Sequence, residues 1–141
     1  MKQKSNRLAT LLLSCGALVA ITTQSARAEL TLKSQKGFAS WYGEELRGRL
    51  MANGKPFNPD KFTAASWFYP LGTRVRVTIR SPEFATRSVL VTITDRGPAK
   101  RLVEQGRVID LGFAAFQKLA EPDLGLVEVT VEPVQQQVRA P

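Results

Sequence analysis

Apolar and polar side chains alternate along three stretches of this chain, the pattern of a β-strand that buries one face. The stretches cover residues 74–79, 88–95 and 126–132. Glycines bound a fourth candidate strand at residues 37–43, and short apolar runs at 62–66 and 108–111 bring the set to five or six. The pattern therefore predicts a small, predominantly β domain.

A single short helix is predicted at residues 113–120, where Phe113, Phe116 and Ala120 recur at helical spacing. Residues 44–60 contain two glycines and two prolines and are predicted to form a long loop, as are residues 97–106. A closed barrel is favoured over a sandwich because closure leaves no exposed strand edge. We therefore expect an all-β fold, a single small barrel with one short helix.

The first 28 residues have the pattern of a secretory signal peptide. Basic residues precede an apolar segment at residues 8–21, and Ala26-Arg27-Ala28 has the small-x-small pattern of a signal-peptidase site. We expect cleavage after Ala28 and a periplasmic location. The remaining chain is predicted to divide into a polar lead-in at residues 29–36, the barrel domain at 37–132 and a disordered tail at 133–141.

A lipoprotein is the alternative to a cleaved, soluble form. Leu12-Leu13-Ser14-Cys15 resembles a bacterial lipobox, in which Cys15 would be lipidated and would anchor the protein to a membrane. Residues 16–21 stay apolar, whereas a lipoprotein normally continues into a polar tether, so the soluble exported form is favoured. If Cys15 leaves with the leader, the mature domain has no cysteine and no disulfide.

Charge and composition exclude several functions. The formal net charge is +8, but four of the 20 basic residues lie in the expected leader, so the mature surface is only mildly basic. We expect no nucleic-acid partner. The chain contains no histidine, which excludes Ser-His-Asp and Cys-His triads and the usual histidine zinc site. We expect neither a metal nor a cofactor.

Asp95 is the leading catalytic candidate. It ends an alternating strand and has the parity of the apolar residues Val91 and Ile93, so it is predicted to face a protected groove. A carboxylate there costs free energy unless it is hydrogen-bonded, paired or used in chemistry. The turn Asp95-Arg96-Gly97-Pro98 leaves a second interpretation open, in which Asp95 only accepts hydrogen bonds from turn amides.

Several short motifs, taken in order, resemble the rare lipoprotein A family. The motifs are Gly37-Phe38-Ala39-Ser40-Trp41-Tyr42-Gly43, Ala52-Asn53-Gly54, Thr63-Ala64-Ala65, Pro70-Leu71-Gly72-Thr73, Asp95-Arg96-Gly97-Pro98 and Val108-Ile109-Asp110-Leu111. The resemblance implies a six-stranded double-psi β-barrel. It also implies a periplasmic, septum-associated lytic transglycosylase that acts on peptidoglycan strands without stem peptides, with cell-division or cell-wall proteins as further partners.

The family motif has a glutamate where this chain has Lys55 and a histidine where it has Ser66, so of three polar site residues only Asp95 is kept. A hydrolase needs two carboxyl groups. A lytic transglycosylase can use one, because the C6 hydroxyl of N-acetylmuramic acid is the nucleophile and one carboxyl can serve as acid and then as base. An ammonium group at Lys55 is expected to lower the pKa of Asp95 and weaken the activity.

Contacts to the glycan are predicted for seven further residues: Tyr42, Asn53, Lys55, Ser66, Trp67, Arg96 and Asp110. Tyr42 and Trp67 offer aromatic faces to sugar rings, or they only cover a barrel end. For Asn53 the alternative is loop geometry. For Asp110 it is a structural role, pairing with Arg96 or capping the helix that follows.

Two functions remain open from the sequence. The first is endolytic cleavage of peptide-free glycan strands between N-acetylmuramic acid and N-acetylglucosamine, which leaves 1,6-anhydro ends. The second is an inert barrel that binds peptidoglycan or a division partner, as expansins loosen walls without measurable hydrolysis. A secreted inhibitor is a third class, for which the sequence offers no specific support.

Overall fold

The computed structural model describes residues 32–79, 82 and 85–134. The predicted signal peptide at 1–28, Cys15 and the part of the predicted tail beyond Val134 lie outside the described residues. In the part that is described, no helix is both long enough and apolar enough to cross a membrane.

Six strands form the described domain: β1 (Gln35–Tyr42), β2 (Thr63–Ala65), β3 (Arg74–Ile79), β4 (Ser88–Asp95), β5 (Arg107–Gly112) and β6 (Val127–Pro133). Two short helices accompany them, α1 (Lys100–Glu104) and α2 (Phe113–Leu119). Single 3-10 turns lie at Glu44–Leu46 and Pro122–Leu124.

The strands close into a barrel in the order β1-β5-β2-β4-β3-β6. The pairs β1–β5 and β2–β4 are parallel, and the other four neighbouring pairs are antiparallel. Apolar residues at alternate positions of β3, β4 and β6 fill the interior, which confirms the predicted alternation: Val75, Val77, Ile79, Val89, Val91, Ile93, Val127, Val129 and Val131. The prediction of an all-β, six-stranded double-psi barrel is confirmed.

The prediction of a single helix is wrong, because α1 lies within the segment predicted as a loop. This helix has only five residues and none of them is buried, so no periodic apolar signal marks it in the sequence. The strand bounds also differ. β1 begins at Gln35, inside the predicted lead-in, and β6 extends to Pro133. Backbone pairing sets both ends, since Gln35 is the register partner of Val131 and Pro133 is that of Val75. Such pairing does not require apolar side chains, so an apolar pattern does not mark these ends.

The short strand β2 lies between β4 and β5, and Ala65 is the register partner of both Asp95 and Asp110. The β2–β4 register shifts at this point: Ala64 pairs with Ile93 and Ala65 with Asp95, so Thr94 is skipped. Such a bulge re-aims the side chain that follows it. Thr94 is therefore buried and Asp95 reaches the rim of the barrel, where it is partly exposed.

The loop between β1 and β2 folds back on itself as an ordered wall beside the barrel. Gly48 N–H donates to Phe57 O at 2.9 Å, Phe57 N–H donates to Arg49 O at 2.8 Å, and Met51 N–H donates to Lys55 O at 2.9 Å. Met51 and Phe57 are buried and anchor the loop. The predicted lack of long regular elements is confirmed, since the loop contains only one 3-10 turn and an isolated bridge.

Candidate active site

A pocket of about 320 Å³ opens between the β1–β2 loop and the ends of β1 and β4. Its volume lies at the lower end of the range of about 300–1,000 Å³ that is typical of ligand pockets. Seven residues line it: Tyr42, Leu46, Arg49, Leu50, Phe57, Asp95 and Arg96. Three of them were predicted from the sequence as site residues, namely Tyr42, Asp95 and Arg96.

Asp95 is held at one oxygen and open at the other. Its Oδ1 accepts hydrogen bonds from the backbone N–H of Ala52 at 2.9 Å and of Arg96 at 2.8 Å. Its Oδ2 has no hydrogen-bond partner among the described residues. Both sequence interpretations thus contain part of the arrangement: one turn amide, that of Arg96, and one amide of the β1–β2 loop, that of Ala52, fix one oxygen, and the carboxyl lines a pocket.

The Arg96 side chain fixes the chain that follows β2. Its Nη1 donates to the backbone oxygens of Ser66 and Tyr69, at 2.7 Å in each case. Arg96 therefore lies at the pocket, as predicted for a glycan contact, while part of its guanidinium is occupied by backbone carbonyls. It ties the segment after β2 to the turn that carries Asp95.

Ser66 is not at the pocket surface. Its exposed fraction is 0%, and its hydroxyl donates to Val108 O at 3.1 Å and accepts from Phe68 N–H at 3.2 Å. Its backbone N–H donates to Asp95 O at 3.2 Å. A side chain with no exposed surface does not contact a glycan in this conformation, so the predicted contact gives way to a structural role. A hydroxyl is small enough to be enclosed here with both hydrogen bonds made.

Asp110 is engaged by Ser40 and Arg107. Ser40 Oγ donates a short hydrogen bond to Asp110 Oδ1, and Arg107 Nη1 lies 3.8 Å from the same oxygen. Burial raises the pKa of Asp110, and the Ser40 bond and the Arg107 charge offset part of that rise. The suggested pairing with Arg96 and the helix cap are both wrong, since Gly112 is the N-cap of α2 and no side chain caps it.

The phenol of Tyr42 interacts electrostatically with both Asp95 and Asp110. Burial raises the pKa of its phenol, and the negative charges of Asp95 and Asp110 raise it further. The hydroxyl is buried and has no hydrogen-bond partner among the described residues, while the ring packs on Phe57 with 4.5 Å between ring centroids. Tyr42 thus lines the pocket with its ring and keeps its hydroxyl beneath the surface.

Asn53 and Lys55 lie in the tip of the β1–β2 loop, and neither lines the pocket. Asn53 Oδ1 accepts from Lys55 N–H at 3.0 Å, and Asn53 N–H donates to Thr94 O at 3.1 Å, which is the loop geometry considered as its alternative. The Lys55 side chain is exposed, and no ion pair joins it to Asp95 in the described part of the chain. The expected influence of Lys55 on Asp95 therefore stays a prediction.

Trp67 is 48% exposed and lies near the turn that follows Asp95. Its Nε1 donates to Pro98 O at 2.7 Å, and Lys100 Nζ lies 5.9 Å from the ring centroid. The indole is thus held by a hydrogen bond and about half exposed, outside the pocket lining. Trp41 differs, because its Nε1 donates to Pro122 O and its ring packs edge-on against Phe113, so it belongs to the packed interior.

Four pocket residues were missed by the sequence reasoning: Leu46, Arg49, Leu50 and Phe57. All of them come from the β1–β2 loop, whose sequence has no period that would place a side chain on one face. Ser40 and Arg107 were also missed as partners of Asp110. A serine and an arginine on strands that are distant in sequence carry no local signal of their pairing.

Comparison with known proteins identifies the class. The model of a family described as lytic transglycolase matches residues 34–131, the whole barrel but for the last residues of β6. The closed strand order and the pocket that contains Asp95 thus belong to a double-psi β-barrel of the lytic transglycolase class. By sequence, the chain belongs to the RlpA family of that class.

The relatives are longer proteins. The probable endolytic peptidoglycan transglycosylase RlpA of Synechocystis is 41% identical over 142 residues, a match that covers 94% of this chain and 42% of the relative. The endolytic peptidoglycan transglycosylase RlpA of Pseudomonas aeruginosa PAO1 is 42% identical over 96 residues, covering 68% of this chain and 26% of the relative. The chain thus spans about two fifths or less of the length of these two relatives.

Solved structures with the same fold include two with other names. The Streptomyces papain inhibitor has a TM-score of 0.55 and 26% identity, covering 73% of this chain and 96% of the inhibitor. The apo expansin of Clavibacter michiganensis has a TM-score of 0.55 and 23% identity, covering 75% of this chain and 52% of the expansin. The expansin match shows the shared fold alone.

Proposed function

We propose that this protein is a periplasmic endolytic lytic transglycosylase that cleaves peptide-free glycan strands of peptidoglycan between N-acetylmuramic acid and N-acetylglucosamine. The observation that carries the proposal is the Asp95 carboxyl, which lines a pocket with one oxygen fixed by two backbone amides and the other without a partner among the described residues. The named activity of the RlpA relatives supports the same reaction.

One carboxyl is sufficient for this reaction. The protonated Asp95 gives its proton to the glycosidic oxygen, and the bond from that oxygen to C1 of the muramyl residue breaks. The resulting carboxylate accepts the proton of the C6 hydroxyl while O6 bonds to C1 and closes the 1,6-anhydro ring. The hydrogen bonds from Ala52 and Arg96 hold the carboxyl in one orientation, so its reactive oxygen stays in position through both steps.

Tyr42 is proposed to contact the substrate through the part of its ring that lines the pocket, since its hydroxyl has no exposed surface. Asp110 is proposed as a positioning residue that acts electrostatically on Tyr42 rather than as a direct contact, since Ser40 and Arg107 already hold its carboxyl. Trp67 is proposed to extend the glycan site beyond the pocket by stacking on a neighbouring sugar.

The finer parts of the proposal concern location and partners. Export through a signal peptide cleaved after Ala28 would deliver the domain to the periplasm, where peptidoglycan is the substrate and cell-wall or division proteins are partners. Asn53 and Lys55 are proposed as outer contacts at most, because they lie at the loop tip and not in the pocket.

A barrel that binds glycan without cleaving it is the second candidate. The specific observation in its favour is that Asp95 Oδ1 is already bound to two backbone amides, an arrangement that also serves to hold the loop against the barrel. In that case the pocket would retain a strand but transfer no proton.

The purified protein and its Asp95→Asn variant are to be incubated with peptide-free glycan strands, with 1,6-anhydro ends detected by mass spectrometry. We expect the variant to form such ends at least about 100-fold more slowly, because a general acid-base group contributes about 10²–10⁴-fold. Asparagine keeps an oxygen for the Ala52 amide, so the fold is preserved. Asp123→Asn, an exposed aspartate in the 3-10 turn before β6, is the matched control.

The outcomes separate the candidates. Anhydro ends from the wild type and Asp123→Asn but not from Asp95→Asn support the enzyme. Glycan that co-sediments with a wild type that forms no such ends supports the binding protein. Equal cleavage by wild type and Asp95→Asn refutes the role of Asp95.

A further inference from the structure

Arg49 is a free cation on the wall of the pocket that contains Asp95. Its guanidinium makes no ion pair and no hydrogen bond with the described residues. Arg47, two residues earlier, is the opposite case: its Nη2 donates to Glu44 at 2.8 Å and to Asp60 at 3.0 Å, and its Nη1 donates to Asn58 at 3.2 Å. The loop thus neutralises one arginine and leaves its neighbour facing the pocket.

The other cations near the site are less suited to bind an anion in the pocket. Arg96 lines it, but Nη1 of its guanidinium is occupied by two backbone oxygens. Lys55 and Lys100 are not part of its lining. Among the residues that line the pocket, Arg49 therefore presents the one guanidinium fork without a partner in the described part of the chain, and such a fork matches the geometry of a carboxylate.

Apolar groups flank this cation. Leu50 is 72% exposed and Leu46 is half-buried, and both line the pocket next to Arg49. A leucine left so open to solvent beside a polar cleft is suited to contact the methyl groups of a ligand. This wall of the pocket therefore combines two leucines that can contact methyl groups with one arginine that can bind a carboxylate.

We propose that Arg49 binds the lactyl carboxylate of the N-acetylmuramyl residue, with Leu46 and Leu50 against its lactyl and N-acetyl methyl groups. This inference rests on the proposed function. A lactyl group in a strand that bears stem peptides is an amide and has no charge, whereas a peptide-free strand presents a carboxylate on every muramyl residue. Arg49 thereby makes the pocket selective for the free acid. The charge of the lactyl group, in addition to the size of the stem peptide, distinguishes a peptide-free strand from one that bears stem peptides.

The test separates charge from size. Peptide-free strands are compared with the same strands after their lactyl carboxyls are coupled to methylamine, a small neutral amide. Dissociation constants and rates of anhydro-end formation are measured for the wild type, Arg49→Gln, Arg49→Lys and Arg76→Gln. Arg76 is exposed on β3 and outside the pocket, so it controls for the loss of one charge by the same substitution.

We expect the wild type and Arg76→Gln to bind the acidic strands at least about tenfold more tightly than the amidated ones, since a charge-assisted hydrogen bond is worth about 1.5–3 kcal/mol. Arg49→Gln should bind the two equally, and Arg49→Lys should keep part of the preference because the charge remains and the fork is lost. Circular dichroism checks that each variant is folded.

A wild type that binds both strands equally, or that binds neither, overturns the inference, and so does an Arg49→Gln variant that keeps the wild-type preference. The proposed function fails in a different way. If the wild type cleaves neither strand but still binds the acidic one more tightly and Arg49→Gln does not, the cleavage proposal is refuted and the role of Arg49 stands.

Discussion

Two aspartates at the same end of the barrel are held differently. Asp95 Oδ1 accepts two backbone N–H groups and the residue lines the pocket, while Asp110 accepts a hydrogen bond from the Ser40 hydroxyl and lies 3.8 Å from Arg107 Nη1. Burial raises the pKa of Asp110. At the scale of single residues, the site therefore combines one carboxyl that can reach a ligand with one that is coupled to the folding of the domain.

The pH dependence of stability should report the burial of Asp110. Because its pKa is raised in the folded state, its favourable contribution is complete below the unfolded value of 3.8 and is lost as the pH rises through the folded value. Asp110→Asn does not titrate, so this loss should disappear. Ser40→Ala removes a hydrogen bond that lowers the pKa, so the loss should become larger.

Urea unfolding at several pH values between about pH 4 and pH 7 provides the free energies of unfolding for the three proteins. The slopes against pH are the relevant quantity, since each substitution also changes packing. Parallel curves for the wild type and both variants would contradict the assignment of this pH dependence to Asp110.

At the scale of elements, the short strand β2 positions both aspartates of the site. It contains three residues, and its last one is the register partner of both aspartates. The bulge at Thr94 then brings Asp95 to the rim instead of into the core. A change in the length of β2 would move both carboxyls together.

The sequence predicts the individual strands better than it predicts which strands pair. Alternating valines identify β3, β4 and β6 because a strand with one buried face has a period of two. The parallel pairs β1–β5 and β2–β4 join segments far apart in the chain and leave no local pattern. The bulge leaves no local pattern in the sequence either. The alternation therefore predicts that Asp95 faces a groove, but it does not indicate that Thr94 is skipped in the pairing.

The site is predicted less completely than the fold for a related reason. Asp95 and Tyr42 stand next to strands and are found from their positions, whereas Arg49 is placed by hydrogen bonds between the two sides of its loop. Ser66 is the opposite case, a residue that the sequence favours as a glycan contact and that the structure buries. Its position in a family motif is that of a polar site residue, yet a serine is small enough to be buried there.

The close approach of β1 to β5 permits a test at this scale. A Cβ added at Gly37 would lie 2.4 Å from Gly106 O and 2.7 Å from Val108 Cγ1, both shorter than any real contact. Gly37→Ala should therefore cost about 1–3 kcal/mol of unfolding free energy, as overpacking does. Urea denaturation measures the loss.

The matched control is Lys36→Ala, at the adjacent exposed position on β1, which should change the free energy of unfolding by no more than about 0.5 kcal/mol. A Gly37→Ala variant as stable as this control would mean that β1 and β5 do not approach as closely as the structure indicates.

At the scale of the whole molecule, the barrel is closed by its first and last strands. β1 pairs with β5 and β6, and β6 pairs with β1 and β3, so each terminal strand bridges two neighbours. The core cluster spans all six strands and α2. Stability should therefore be a property of the complete ring of strands.

A fragment of residues 32–134 is predicted to melt within about 4 °C of the full chain, a shift that corresponds to roughly 1 kcal/mol for a domain of this size. A second fragment that ends at residue 125 lacks β6 and leaves β1 and β3 each with one unpaired edge, so it should be unfolded. Circular dichroism with thermal melting distinguishes the two. A cooperative melt of the shorter fragment would show that the ring is not required.

The pairing of β1 also bears on when this protein can fold. A ribosome makes β1 first among the strands, yet both neighbours of β1 are the last two to be made. The growing polypeptide must therefore carry β1 unpaired until β5 and β6 have been made, open to wrong partners. The barrel can close only once β6 is complete, and any pore that receives the amino terminus before then receives an unfolded strand.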